Sequence, residues 1–271
     1  MRLAKHTVGS QIWKLIAIFD FKYFMEKISI TLITKDEEHF IEDCLKSVCW
    51  ADEIIVVDSG SKDKTIEIAK KYTDKIFFNE WKGFAVQKEY ALQQAENDWV
   101  LSIDADERIS KGLKEEIERN NFTEFDGYFI PRENYFFKKH ITTCGWGRDR
   151  QLRLFNKSKT KLTNRLVHEG FEVDGTIGNL KNPVIHFTFN SIEKTISKIN
   201  KYSTLEAIEK YKSKKEITGG MILSHGVSSF LRSFISLRGY KDGVHGLMIS
   251  IIDSMTTFLT YMKMWELQNK D

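Results

Sequence analysis

The chain has only 3 cysteines and 2 prolines, and neither sign of charge dominates it: 41 Lys+Arg stand against 38 Asp+Glu in 271 residues. Cys44, Cys49 and Cys144 show no CxxC spacing and no even count. Neither a disulfide framework nor a cysteine-rich zinc site is indicated, and a reducing compartment fits. A composition of 41% hydrophobic and 29% charged residues excludes disordered, collagenous and low-complexity chains. No run reaches the ~18 to 20 uninterrupted apolar residues of a membrane-spanning helix. The nearest, Val244 to Met262, is broken by His245, Gly246 and Asp253. The basic N-terminus carries a short apolar run, Ile12 to Phe19, without the small-residue cleavage pattern of a secretory signal. Residues 1–25 read either as an amphipathic extension or as an over-long start, because Met25 directly precedes the first convincing strand. Walker A and GxGxxG loops are also missing, so ATPase and dinucleotide readings lack their phosphate cradle.

Charge is present but unevenly placed. An acidic body up to residue 137 gives way to a belt over 138–165 in which nine Lys and Arg face Asp149 alone. Such a belt suits phosphates, anionic lipid or nucleic acid, with solvated charge as the plain alternative. No aromatic-interleaved RNA motif accompanies it, so no nucleic acid is expected as a partner.

Short apolar, β-branched runs alternate with helical patterns. Ile28 to Thr34 and Glu53 to Val57 read as buried strands, Lys75 to Phe78 and Trp99 to Ile103 as two more. Asp36, Glu37 and Glu38 are expected in the first turn of a helix carrying Phe40, Ile41, Leu45 and Val48. Helices over Lys64 to Tyr72, Gly83 to Ala95 and Gly112 to Arg119 follow the same logic, and strands are expected near Gly127 to Pro131 and Leu152 to Phe155. This alternation predicts an α/β fold with a mainly parallel central sheet and right-handed crossovers. From Ser191 the pattern turns helical, with a break at Gly219-Gly220 and further helices over about 221–237 and 242–266.

Ligands of such sheets sit beyond the carboxyl ends of the strands, where three polar clusters fall, around 34–37, 58–65 and 104–107. Asp104 and Asp106 are one residue apart at a strand end. Two close carboxylates are reconciled by a divalent cation, and hard oxygen ligands suit Mg²⁺ or Mn²⁺ with phosphate oxygens completing the shell. In the second cluster Ser61 and Asp63 are expected to shape a turn and cap a helix while Asp58 faces the ligand.

Thr-Lys-Asp-Glu-Glu at 34–38, Trp50-Ala-Asp-Glu-Ile-Ile-Val-Val-Asp-Ser-Gly-Ser61, Gly83-Phe-Ala-Val-Gln-Lys88 and Trp99-Val-Leu-Ser-Ile-Asp-Ala-Asp-Glu107 together resemble the inverting family 2 glycosyltransferases of GT-A (nucleotide-diphospho-sugar transferase) fold. The nearest branch is the β-glucosyltransferases that act on the inner-core heptose of lipopolysaccharide. The resemblance implies a GT-A catalytic domain over 26–190. In the C-terminal helical region, 191–271, Phe230, Leu231, Phe234, Ile235 and Leu237 beside Arg232, Arg238 and Lys241 suit an interfacial, membrane-associating helix with basic anchors, or else a packing or oligomerisation face. The resemblance also implies that Thr34, Glu37 and Asp58 line the nucleotide pocket, Asp58 near the uracil edge, with Asp104 on the ribose and Asp106 on the metal. Gln87 and Lys88 match a helix segment near the donor. Asp36 and Glu89 depart from the family pattern, which has Asn at both positions.

Inverting transfer needs a base for the acceptor hydroxyl. Val167-His168-Glu169 and the Asp149 that precedes Gln151-Leu-Arg-Leu-Phe155 supply two candidates, Glu169 first and Asp149 second. His168 can complete the metal shell, and Arg148 and Arg153 can grip diphosphate or an acceptor phosphate. His186 and the other histidines receive no role. The expected partners are a UDP-sugar donor and a lipopolysaccharide core or lipid-linked glycan acceptor, handled at the cytoplasmic face of the inner membrane. A sugar nucleotidyltransferase and a non-enzymatic membrane or anionic-polymer binding module are the rival readings.

Overall fold

The computed structural model describes residues 26–163, 170–189, 191–212 and 216–270. Strands β1 (Ile28–Thr34), β2 (Glu53–Asp58), β3 (Ile76–Phe78) and β4 (Trp99–Asp104) pair in parallel in the order β3-β2-β1-β4. Helices α1 (Ile41–Val48), α2 (Thr65–Ala69) and α3 (Phe84–Gln94) connect them. β1 and β2 are buried almost throughout, which is why their sequences are continuous apolar runs rather than alternating ones. α1 buries Ile41, Cys44, Leu45 and Val48, spaced three and four residues apart, against one face of the sheet. Each such aliphatic side chain contributes about 2 kcal/mol of burial free energy. Ala91 and Ala95 pack on the opposite face with Ile55, Val57, Val100 and Phe155.

The sheet then continues in mixed direction. β5 (Glu107–Ile109), helix α4 (Lys111–Glu118), β6 (Gly127–Phe136), β7 (Lys139–His140) and β8 (Arg150–Asn156) follow in the chain. β8 runs antiparallel between β4 and β6. β9 (Thr160–Leu162) and β10 (Phe171–Val173) form a separate antiparallel pair, β11 (Ile177–Asn179) joins β6, and β12 (Val184–Phe189) lies parallel to β6 and antiparallel to β5. The short strands β5, β7 and β9 to β12 were not among those expected from the sequence. β5, β7 and β9 to β11 are two or three residues long, too short for alternation to register, whereas β12 is six residues long and does alternate.

Helices α5 (Ile192–Tyr211), α6 (Gly219–Leu231) and α7 (Val244–Gln268) complete the chain. Gly219 and Gly220 start α6 instead of merely breaking the preceding helix, because the Thr218 side chain caps the Met221 N–H. α6 ends in a π-helical turn, Arg232–Ser236. No helix among the described residues is long and apolar enough to cross a membrane. The helices dock on the sheet domain through both apolar and polar contacts. Ile249 joins Phe136, Ile141 and Cys144 in an apolar cluster, and the buried Asp242 accepts from Thr142 N, Thr143 N and Thr143 Oγ1.

The loops after β1 and β2 are laced to each other. Asp36 N donates to Ser61 Oγ, Glu37 N to Thr65 Oγ1 and Glu38 N to Asp63 Oδ2, while Asp36 and Glu38 carboxylates accept from Lys62 N and Lys64 N. Asp36, Glu37 and Glu38 therefore belong to this loop and not to the first turn of α1, which begins at Ile41. Asp36 takes a left-handed conformation, φ 55°, so the acids turn toward the neighbouring loop.

Candidate active site

A cavity of about 810 Å³ opens at the carboxyl ends of β1 and β4. Its floor carries Thr34, Glu37, Asp104 and Asp106, β6 and β12 supply Arg132, Asn134 and His186, and the turn before β8 supplies Asp149. α3 adds Phe84 and Lys88, and α5 closes the remaining side with Lys198, Lys201 and Tyr202. The α5 wall is seated by aromatic contacts: Phe84 lies 4.7 Å from Trp81 and 6.2 Å from Tyr202, and Lys201 Nζ stands 4.9 Å over the Trp81 ring.

The polar side chains form one connected chain around the floor. Lys88 Nζ is 3.6 Å from Asp104, whose other oxygen accepts from Arg153 at 2.6 Å. Arg153 also donates to the fully buried Glu107 at 2.8 Å, and Glu107 in turn accepts from Asp104 N. Arg132 stands 3.6 Å from Glu107 and 2.6 Å from Asp149. Asp149 accepts from Asn134 Nδ2 at 3.1 Å, Asn134 Oδ1 meets His186 Nδ1 at 2.6 Å, and His186 Nε2 is 3.3 Å from Asp106.

Charge follows from this wiring. Burial alone raises the Asp104 carboxyl, but Arg153 and Lys88 outweigh it and hold the group well below the usual carboxylate range. Asp106 and Asp149 are likewise buried yet lowered, by His186 and by Arg132 with Asn134 respectively. Among the described residues no cation pairs with the Glu37 carboxyl. Burial and then the nearby Asp106 push it up to about 7, against the opposing pull of Lys194 and Lys198.

The donor set fits a divalent cation. Because Asn134 Nδ2 is committed to Asp149, its carbonyl oxygen faces His186 and fixes the proton on Nδ1. His186 Nε2 stands 3.3 Å from the Asp106 carboxylate, so an imidazole nitrogen and a carboxylate oxygen lie side by side where one cation can take both as ligands. No group of three or more His, Cys, Asp or Glu forms a full metal cage among the described residues. One carboxylate and one imidazole are the partial set that Mg²⁺ or Mn²⁺ accepts when phosphate oxygens and water complete the shell.

Thr34, Glu37, Lys88, Asp104, Asp106 and Asp149, all singled out in the sequence, line this one cavity. Thr34 Oγ1 is buried and has no hydrogen-bond partner in the described structure, so it is an unmet donor at the cavity floor. Other candidates are not brought there. The Asp58 carboxylate accepts from Gly60 N, Ser61 N and Ser61 Oγ in its own turn and borders a separate cavity of about 420 Å³ beside Phe78. Gln87 is fully buried and donates to the carbonyls of Asn79 and Glu80. Arg153 lies beneath the floor, held by Asp104 and Glu107, and Arg148 is exposed outside the cavity. His168 and Glu169 lie outside the described residues.

Sequence reasoning missed His186 and the α5 lysines. In Val184-Ile-His-Phe-Thr-Phe189 the polar His186 and Thr188 alternate with apolar residues, a period of two that marks one face of a strand. Lys194, Lys198 and Lys201 recur at helical spacing along α5, so one face of that helix is cationic.

A sheet of this order with an acidic, lysine-walled cavity at its carboxyl ends has GT-A architecture. Residues 29–176 match the family described as Glycosyl transferase family 2, and the chain belongs to it. Family membership displaces the nucleotidyltransferase and the non-enzymatic binding module as readings. A lipopolysaccharide core biosynthesis glycosyltransferase of Rhizobium meliloti, LpsC, is 30% identical over 248 residues, covering 88% of this chain and 92% of that protein. A glycosyltransferase of Rickettsia typhi is 33% identical over 260 residues, covering 91% and 89%. Among solved structures, residues 1–349 of Staphylococcus aureus TarS in complex with UDP-GlcNAc superimpose with a TM-score of 0.45 at 15% identity, covering 90% of this chain and 92% of that one.

Proposed function

We propose that the chain is an inverting hexosyltransferase that moves glucose from UDP-glucose to a lipopolysaccharide core glycan, forming a β-glycosidic bond. The observation that carries the nucleotide-sugar part is the juxtaposition of Asp104 and Asp106 with Lys88, Lys198 and Lys201 around one cavity. A diphosphate leaving group is stabilised by a hard cation, by basic side chains or by both, and the Asp104–Asp106 pair and the three lysines support either. The acceptor class is supported by the name of the Rhizobium meliloti relative.

In this reading Thr34 and Glu37 bind the nucleoside and Asp104 binds the ribose. Asp106 and His186 would hold Mg²⁺ or Mn²⁺, and the cation would supply charge neutralisation to the diphosphate. Lys88, Lys198 and Lys201 stabilise the same charge as it grows on the departing oxygen. The acceptor hydroxyl attacks the anomeric carbon from the face opposite the diphosphate. The new carbon–oxygen bond forms as the bond to phosphate breaks, UDP leaves, and the hydroxyl proton passes to a carboxylate, Glu169 or Asp149. Arg132 keeps Asp149 ionised at neutral pH, the state a base requires.

The test is saturable binding and slow donor hydrolysis with a panel of UDP- and GDP-sugars, with and without Mn²⁺ or Mg²⁺, alongside Asp106→Ala. Selective, metal-dependent turnover of one UDP-sugar that vanishes in the variant supports the reading. Folded protein that binds no sugar nucleotide refutes it.

A further inference from the structure

Helices α6 and α7 form an antiparallel hairpin. The rings of His225 and Tyr261 stack at 4.3 Å, Ser254 Oγ donates to the Gly226 carbonyl, and Ser233 Oγ donates to Asp253. Along α6 and the turn that extends it, Leu223, Val227, Leu231 and Ile235 recur every four residues, 62%, 44%, 46% and 57% exposed. Along α7, Val244, Leu247, Ile251 and Met255 recur every three or four, 69%, 38%, 43% and 38% exposed. At 100° per residue each row lies about a quarter turn from its helix's contact line, Gly226 on one and Ser254 on the other, in the same rotational sense. In antiparallel neighbours those two quarter turns point to the same side. The hairpin therefore presents one continuous apolar face, of the kind that marks an interaction site.

Charge identifies the occupant. From Ile217 to Trp265 the chain has only two acids, Asp242 and Asp253. Asp242 is buried and bound to Thr143 and Lys139, and Asp253 is half-buried against Ser233. Arg232, Arg238 and Lys241 are exposed around the connection between the helices, beside Tyr240, which is 52% exposed. An apolar face with a basic, aromatic tip and no exposed carboxylate matches the interface of an anionic bilayer, where aliphatic side chains enter the acyl boundary and cations meet the head groups. A second copy of the face offers the basic tip no carboxylate to pair with.

We infer that the α6–α7 hairpin docks the protein on anionic lipid surfaces, lying in the interface without crossing it. The inference goes beyond the transferase reading and stands apart from it, since none of these residues lines the catalytic cavity.

The experiment is co-sedimentation of the full chain with vesicles of phosphatidylcholine alone and of phosphatidylcholine with phosphatidylglycerol, at moderate salt. Wild-type protein is expected to bind the anionic vesicles and not the neutral ones. Leu231→Glu/Ile235→Glu, at exposed sites, and Arg232→Gln/Lys241→Gln should each lower the partition coefficient tenfold or more while leaving donor hydrolysis unchanged. Equal partition of the wild type and both variants, or no binding to anionic vesicles, overturns the proposal. So does a concentration-dependent dimer dissolved by Leu231→Glu/Ile235→Glu without vesicle binding, which would make the face an interface between copies. Vesicle binding without sugar-nucleotide turnover would instead sink the transferase reading and leave this one standing.

Discussion

Replacing Arg153 by methionine removes the cation shared by Asp104 and the fully buried Glu107 while keeping an unbranched, apolar side chain in its place. Arg153 is 5% exposed, so water cannot take over its role. Breaking a buried ion pair by removing one partner costs about 3 to 5 kcal/mol. Lys88 and Arg132, each 3.6 Å from one of the stranded carboxylates, supply partial compensation and favour the lower end. For a chain of this size that corresponds to a fall in Tm of roughly 6 to 12 °C. Urea and thermal denaturation at pH 7 measure it. Glu107→Gln in the same background should restore on the order of 1 to 2 kcal/mol, since it removes one stranded charge, and the double-mutant cycle reads that coupling directly. The deficit should also shrink below about pH 4, because the depressed Asp104 carboxyl stabilises the fold above its unfolded pKa and that gain is lost as pH falls. A loss under about 1 kcal/mol, or no coupling between the two positions, would refute the view that this network holds the cavity floor.

Four further outcomes follow from the same geometry. Glu37, pushed up to about 7 by burial and Asp106, binds more protons folded than unfolded between its ordinary pKa and 7, so stability falls as pH rises through that window. Glu37→Gln should gain about 2 kcal/mol over wild type at pH 8 and nothing at pH 4, in chelator-treated protein followed by thermal melts. His186→Ala should weaken Mn²⁺-dependent UDP binding about 10- to 100-fold by titration calorimetry, as loss of a metal-site residue does, and unchanged affinity would remove His186 from the site. Lys198→Gln and Lys201→Gln should each lower donor turnover by roughly tenfold, about 1.4 kcal/mol of transition-state stabilisation, with little change in Tm. Gly226→Ala places a Cβ 2.4 Å from the Phe258 ring and should destabilise the hairpin by about 1 to 3 kcal/mol, visible as a lower urea midpoint.

Much of the fold was legible along the chain because local rules and tertiary packing agree there. Buried parallel strands must be apolar on both faces, so Ile28 to Thr34 and Glu53 to Val57 announce themselves. The Asp-x-Asp at residues 104–106 falls at a strand end because β4 stops where its side chains reach the cavity. Ser191 starts α5 where an N-cap residue precedes a periodic apolar pattern.

What the sequence by itself determined, then, was the parallel half of the sheet, the helical character of the C-terminal region and the acidic floor of the site. Each depends on neighbours within a few residues, or on an apolar period long enough to read. Only the tertiary structure decided which side chains share the cavity. Asp58 and Arg153 carry chemistry suited to a ligand, yet the first closes its own turn and the second neutralises the floor from below. His186 looked ordinary until β12 paired with β6 and set Asn134 beside it. The α5 lysines lie well over eighty residues from the Asp-x-Asp in sequence, and they reach it only because the helix folds back against α3 through Trp81, Phe84 and Tyr202. Contacts between elements distant in the chain are set by the packing of whole faces, and that information is spread too thinly over single residues to be read from any one of them.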